Sequence, residues 1–281
     1  MKFGVNTLIW TAHFDREHIP LMAEIASHGF DVIEITRFNW DGFPAAEIRR
    51  AAEAAGLGIT VCTVLPGLSL IHDEPSERAK AVEYMKQSLR CCAEIGGTAV
   101  AGPIFSPVGF LPGRRRTEEE WKRQVDSLQQ LASTLDDTKV DLAVEPLNRF
   151  ETFFLNTAAD GARLCADVGH KRVGLLYDTF HANIEEKSQA AALRTAAPHL
   201  LHMHTCENDR GAPGSGHVEW AEVMSTLKSV GYDKTCVIES FGFTIKELAA
   251  ATCIWRDLAP TPAQIAWDGL PFLKQAWANA Q

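Results

Sequence analysis

Four apolar runs in the second half of the chain each stop on a residue that can bind a cation or carry a proton. Leu142-Ala143-Val144 stops on Glu145-Pro146, Val173 to Tyr177 on Asp178, Leu200 to Met203 on His204, and Thr235 to Ile238 on Glu239. The intervals between the four are 33, 26 and 35 residues. One strand–helix unit of an eight-fold barrel takes about 30 residues. Side chains of a strand alternate between two faces, so Glu145 shares a face with Ala143. Pro146 has no N–H for a ladder and ends that strand. The pattern therefore sets four candidate ligands at the carboxyl ends of four consecutive strands, on one rim, where parallel α/β folds place their chemistry.

The same alternation runs through the rest of the chain and predicts an α/β fold, a (β/α)8 barrel occupying residues 1–281 as a single domain. The first four strands are expected over Lys2 to Leu8, Phe30 to Ile35, Ile59 to Leu65 and Thr98 to Ile104. Helices are expected over His18 to His28, Pro44 to Ala55 and Ser76 to Ile95, stopped by Gly29, Gly56 and Gly96-Gly97. Thr117 with Glu120 opens a helix running to Leu135. Later helices are expected over Ala158 to Asp167, Ser188 to Ala196, Trp220 to Val230 and Ile245 to Leu258, before a tail with spaced apolar clusters, Pro262 to Ala278.

Composition narrows the function. Hydrophobic residues make up 46% of the 281, enough for a large core. A net charge of −9 argues against a nucleic-acid backbone as partner, which requires a basic stripe. No apolar run reaches the roughly 18 residues that cross a membrane. The start, MKFGVNTLIW, reads as a strand and not as a signal peptide. The seven cysteines include no CxxC pair and read as small buried residues in a reducing compartment, which predicts a cytoplasmic protein.

Two Glu, one Asp and one His converging on a rim predict a divalent-metal site built from Glu145, Asp178, His204 and Glu239. Three carboxylates and an imidazole suit Mn²⁺, Co²⁺ or Mg²⁺ better than a structural zinc, which favours thiolates. Two glutamates also do proton-transfer chemistry. The fifth and eighth strands lie on different sides of a barrel, so Glu145 and Glu239 flank a substrate on opposite faces. Two-base epimerisation needs that arrangement. One carboxylate removes a proton next to a carbonyl, and the other returns it from the opposite side. A cation would stabilise the enediolate in between.

The stretches VEPLNRFE, YDTFHANIEE, HMHTCENDRGAPGSGH and VIESF resemble the ketose 3-epimerases, the D-tagatose, D-psicose and L-ribulose enzymes of the xylose-isomerase-like TIM barrel superfamily. The resemblance spans the whole chain and is most specific in its second half. It implies that Glu145, Asp178, His204 and Glu239 bind one metal ion per subunit, Mn²⁺ foremost, with Glu145 and Glu239 as the catalytic pair. It further implies that Glu151, His181 and Arg210 contact the ketose, and that the protein is a homodimer or homotetramer. Blander roles exist for each contact residue: His181 as a helix cap or core residue, Arg210 as a partner of Asp209 or Glu207 in a solvated loop. His202, on the same face as His204 but one layer deeper, reads as a hydrogen-bonded core histidine. Glu34, at the end of the second strand, reads either as a support behind the ligands or as a partner of sugar hydroxyls, with neither chosen; Arg114 to Arg116 read as a solvated or subunit-contacting run, with a phosphate clamp as the alternative. The seventh loop departs from the family's approximate GExNR as Cys206-Glu207-Asn208-Asp209-Arg210, which bears on the choice of sugar.

Within the same barrel and metal, aldose–ketose isomerisation, polyhydroxy-ketone dehydration and sugar-phosphate isomerisation are the alternatives, since fold does not fix reaction. A DNA-repair endonuclease of the same superfamily would need more histidine ligands and a basic groove. A non-catalytic sugar-binding protein would not need a proton-transfer pair.

Overall fold

A computed structural model describes residues 1–281. Eight parallel strands close in sequence order into a barrel. They are β1 (Lys2–Asn6), β2 (Val32–Thr36), β3 (Gly58–Cys62), β4 (Ala99–Gly102), β5 (Asp141–Val144), β6 (Val173–Asp178), β7 (Leu200–His204) and β8 (Thr235–Ile238). Around them run α1 (Leu21–Ser27), α2 (Ala45–Ala55), α3 (Pro75–Glu94), α4 (Glu118–Gln129), α5 (Ala132–Thr138) and α6 (Ala158–Val168). The second half adds α7 (Thr179–Glu185), α8 (Gln189–Ala196), α9 (Trp220–Ser229), α10 (Lys246–Thr252) and α11 (Pro262–Asn279). The strands are buried on both faces, which is why they read as near-continuous apolar runs. The helical shell packs on them through one large apolar cluster. The barrel interior differs. Ala101, Ala143 and Leu176 form a small apolar cluster apart from the main one, and the polar side chains of Asn6, Glu34, Thr60, His202 and His204 are buried as well. All seven cysteines are free, and no helix is long and apolar enough to cross a membrane.

Local signals explain most boundaries. Thr117 and Glu120 form the expected capping box at the start of α4. The helix expected to run on to Leu135 breaks after Gln129 instead. The Leu131 N–H bonds to the Leu128 carbonyl in a tight turn, and α5 then restarts. That turn lets Leu128, Leu131 and Leu135 all bury completely. The helix expected over Ile245 to Leu258 stops at Thr252 because Cys253 takes a left-handed conformation, φ 55°. The tail is a helix, α11, begun by Thr261 as cap and Pro262 in its first turn. A helix absent from the sequence reading, α7, begins with no loop after β6. Asp178 caps it by accepting from the Phe180 N–H at 2.7 Å.

Gly102 closes β4 with φ 140°, and a Cβ there would overlap the Thr63 carbonyl oxygen. This close approach joins the ends of β3 and β4 just below the rim, where Gly102 also accepts from the Glu145 N–H at 2.9 Å. Gly102→Ala is expected to cost about 1–3 kcal/mol through backbone strain and overpacking. Thermal melting measures it, and an unchanged midpoint would contradict this account of the β3–β4 junction.

Candidate active site

The four candidate ligands come from adjacent strand ends. Asp178 and His204 close β6 and β7 and stand opposite one another in the sheet register. Glu145 and Glu239 follow β5 and β8 by one residue. One ligand atom from each of the four lies within 4.8 Å of the others, and all four residues are buried. His204 Nδ1 is 3.4 Å from Glu239 Oε2, 3.7 Å from Glu145 Oε1 and 4.0 Å from Asp178 Oδ2.

Three carboxylates cannot share a buried space without compensating positive charge or protons. Burial pushes the Glu145 carboxyl up to about 8, against the pull of His204 and with the repulsion of Glu239. Burial acts the same way on Glu239, but His204 and Arg210 overcome it and hold that carboxyl low. His204 is driven well above the usual imidazole range. Burial opposes this rise, and the carboxylates of Glu239 and Glu34 outweigh it. The cluster thus attracts cations. Glu145 Oε1 and His204 Nδ1 are also buried with no hydrogen-bond partner. With their protons displaced, both become unpartnered acceptors aimed into a nest of carboxylates, which fits a divalent ion, and the set of three carboxylates and one imidazole suits a metal of intermediate hardness.

Arg210 is not in a solvated loop. It is buried, and its Nη1 donates to Asp178 Oδ2 at 2.8 Å and Glu239 Oε2 at 2.7 Å. Phe180 and Phe241 face its guanidinium at 4.1 and 5.1 Å from their ring centroids. Its backbone is left-handed, φ 67°, an uncommon state for a residue other than glycine. Two bonds hold it there: Arg210 N–H to the Glu207 carbonyl at 3.0 Å, and Ser240 Oγ to the Arg210 carbonyl at 2.6 Å. Asp209 instead pairs with Arg256.

His181 lies in the first turn of α7 and points into the pocket, not into a helix cap. The Asn148 N–H donates to its Nδ1 at 3.0 Å, so Nε2 carries the proton. That N–H faces Glu145 Oε1 at 3.7 Å, with Arg210 Nη2 at 3.1 Å as a contact between two donors. Burial, then the Arg210 charge, keeps the imidazole neutral. Glu151 is half-buried beside it and accepts from Asn148 Nδ2 at 2.8 Å. Asn148, which the sequence placed only in a polar loop, therefore orients both Glu151 and His181. The pocket enclosed is about 230 Å³. Glu145, Glu151, His181, Arg210 and Glu239 line it on one side, and apolar side chains such as Phe38, Val64, Phe241 and Leu248 line the rest. The Cys62 thiol sits 3.9 Å from Glu239 Oε1 at its floor.

Beneath the cluster, Glu34 accepts from His202 Nε2 at 2.6 Å and His204 Nε2 at 2.7 Å. Its burial favours the neutral acid, but the two histidines hold it well below the usual carboxylate range. Arg114 and Arg116 are tied by paired hydrogen bonds to Glu120 and Asp160 within the chain.

Residues 22–275 match the family model described as xylose isomerase-like TIM barrel. A probable ketose 3-epimerase of Synechocystis sp. is 37% identical over 278 residues, spanning 99% of this chain and 97% of that one. The solved structure of an L-ribulose 3-epimerase superposes with a TM-score of 0.93 at 28% identity, covering 99% of this chain and 94% of that one. A crystal structure of D-psicose 3-epimerase in the presence of D-fructose superposes at 0.92 with 29% identity, covering 99% and 100%.

Glu207 organises the loop that delivers Arg210. It is fully buried and accepts four bonds: from the Asn208, Gly214 and Val218 N–H groups and from Trp220 Nε1, at 2.8 to 3.1 Å. Glu207→Ala leaves these donors unpaired, at about 1–3 kcal/mol for each that stays buried. Expected results are a lower melting midpoint and faster protease cleavage within residues 206–217. Wild-type melting and cleavage would show that the loop holds itself.

Proposed function

The chain belongs to the xylose isomerase-like TIM barrel family and, within it, to the ketose 3-epimerases, and on that premise we propose that it interconverts free ketoses epimeric at C3 with a divalent cation bound by Glu145, Asp178, His204 and Glu239. Mn²⁺ is the favoured ion, with Co²⁺ and Mg²⁺ compatible with the same donors. When bound, the ion supplies a Lewis acid for the negative charge left on the ketose oxygens as the C3 proton departs. The observation that carries the reading is the pair Glu145 and Glu239 in one buried cluster at the edge of a single pocket, reached from β5 and β8.

The rest of the work falls to the chain's own groups. One glutamate takes the C3 proton and the other returns one to the opposite face, so a full turnover exchanges the protonation states of the pair. In the ion-free site burial raises the Glu145 carboxyl while His204 and Arg210 hold that of Glu239 low, so the two differ in proton affinity before an ion binds. His181 Nε2–H and the Arg210 guanidinium donate to ketose oxygens, and Glu151 accepts from a hydroxyl. These contacts fix C3 between the two carboxylates. The apolar walls exclude water, which keeps the removed proton from being lost. Arg114 and Arg116 already have carboxylate partners, which disfavours a phosphate clamp and supports unphosphorylated sugars. A homodimer or homotetramer is proposed with this activity, since Phe110, Leu111 and Phe150 stand 52%, 49% and 71% exposed on two loops that meet where the Gly109 N–H donates to the Glu151 carbonyl. Free cysteines suit a cytoplasmic setting.

The test uses Mn²⁺-loaded protein with a panel of free ketoses in D₂O. Deuterium is expected at C3 of both epimers, and a chelator should stop turnover until Mn²⁺ is restored. Glu145→Gln and Glu239→Gln should each lower turnover by about 10²–10⁴-fold, the usual contribution of a general acid or base. Each variant retains one base, so the two should exchange the C3 hydrogen of opposite epimers. Deuterium at C1 would identify an aldose–ketose isomerase instead, and both variants exchanging the same epimer would rule out two bases.

A further inference from the structure

Glu34 stands below the ligand cluster, at the centre of a polar array that the proposed proton transfer does not use. Each of its oxygens receives two donors. Oε1 accepts from Asn6 Nδ2 at 2.9 Å and His204 Nε2 at 2.7 Å; Oε2 accepts from Thr60 Oγ1 at 2.9 Å and His202 Nε2 at 2.6 Å. The sheet register delivers two of them, since Glu34 on β2 pairs with Asn6 on β1 and Thr60 on β3. The histidines reach it from β7. The orientation of the Asn6 amide is forced. Its Oδ1 already accepts from the Leu8 N–H at 2.9 Å and Thr36 Oγ1 at 2.8 Å, which turns Nδ2 toward Glu34.

An ionised carboxylate has about four acceptor positions, and here each has a donor. Glu34, His202 and His204 are close enough together to hold a metal. Their facing atoms are all committed to one another, however, so the group is a hydrogen-bond array and not a second cation site. The consequence for His204 is specific. In its neutral form the ring proton sits on Nε2, bonded to Glu34. Nδ1 is then the bare nitrogen, and it is the atom aimed at Glu145, Asp178 and Glu239 without a partner of its own.

We infer that Glu34 is a positioning residue for the cation centre: it fixes the tautomer and ring angle of His204 that present Nδ1 to the ion, while Asn6, Thr60 and His202 hold the Glu34 carboxylate in place. A carboxylate behind a ligating imidazole also raises the basicity of the ligand nitrogen, and losing such a partner typically weakens metal binding by about 10–100-fold. The inference rests on the cation reading above and assigns a separate residue within it. Glu34→Gln separates orientation from charge. The amide oxygen can still accept from His204, so the ring keeps its direction but loses the anion behind it.

Metal-free wild type, Glu34→Gln and Glu34→Ala are titrated with Mn²⁺ by calorimetry, with thermal melting of each metal-free protein. Proton NMR of the Co²⁺-loaded forms in H₂O reads the imidazole N–H directly. Wild type is expected to bind one ion per chain and to show one slowly exchanging, hyperfine-shifted N–H. Glu34→Ala should bind about 10–100-fold more weakly and lose that resonance to fast exchange; Glu34→Gln should fall between in affinity and keep the signal. Wild-type affinity and an unchanged N–H resonance in the variants overturn the proposal. So do two ions per wild-type chain with one lost in both variants, which would put a cation on Glu34 itself. Failure of wild type to bind Mn²⁺ overturns the reading of the centre instead, so the two failures are distinct. If Glu34→Ala does not fold, the affinity of Glu34→Gln decides: equal to wild type is against, weaker is for.

Discussion

Negative charge confined at the end of a barrel governs this molecule. Three carboxylates and an imidazole meet within a few ångströms, shielded from water. An unpaired buried ion costs several kcal/mol, whereas a typical hydrogen bond returns about 1 kcal/mol net, so hydrogen bonds alone do not make such a cluster stabilising. What tolerates it is the apolar shell of strands and helices around the rim. What tempers it is positive charge: Arg210 from the seventh loop and, beside it, either a proton on His204 or, in the functional reading, a bound cation that takes that proton's place. The position of each neighbouring group follows from this need. Arg210 adopts an uncommon backbone to reach Asp178 and Glu239, and Glu207 collects four donors to keep its loop in that shape.

The same constraint divides the interior into two levels. The upper level, facing the pocket, has the groups to which the functional reading gives proton transfer and sugar contact. The lower level, with Glu34, Asn6, Thr60 and His202, is closed, with each acceptor of Glu34 matched to a donor. A closed array has one arrangement, and an open cluster has several. Rigidity below and exchangeable protons above are what a proton-transfer site requires of its scaffold.

Sequence made the cluster of four side chains legible because a parallel barrel has a period. Apolar runs that end at about 30-residue intervals place their terminal residues on one rim, and Glu145, Asp178, His204 and Glu239 needed no further information to be set side by side. Features that depend on contacts across the barrel were not legible. Nothing near Glu34 in the chain announces His202 and His204, which lie about 170 residues away in sequence. Glu207 and Asp209 looked equivalent as partners for Arg210; only the fold turns one into the loop's anchor and gives the other to Arg256. The helix after Asp178 was missed because the capping residue is also the last residue of the strand, so no loop composition separates the two elements. The broken fourth helix is a packing decision, made so that Leu128 and Leu131 could both bury.

If four side chains from four strand ends hold one cation, with His204 turned to offer Nδ1, anomalous diffraction from a crystal of the Mn²⁺-loaded protein should locate it. One peak per chain is expected, about 2.0–2.3 Å from His204 Nδ1 and from an oxygen of each of Glu145, Asp178 and Glu239. A peak on His202 or on Nε2 of His204, or one that leaves Glu145 or Glu239 more than about 4 Å away, beyond even an ion-pair contact, would contradict it.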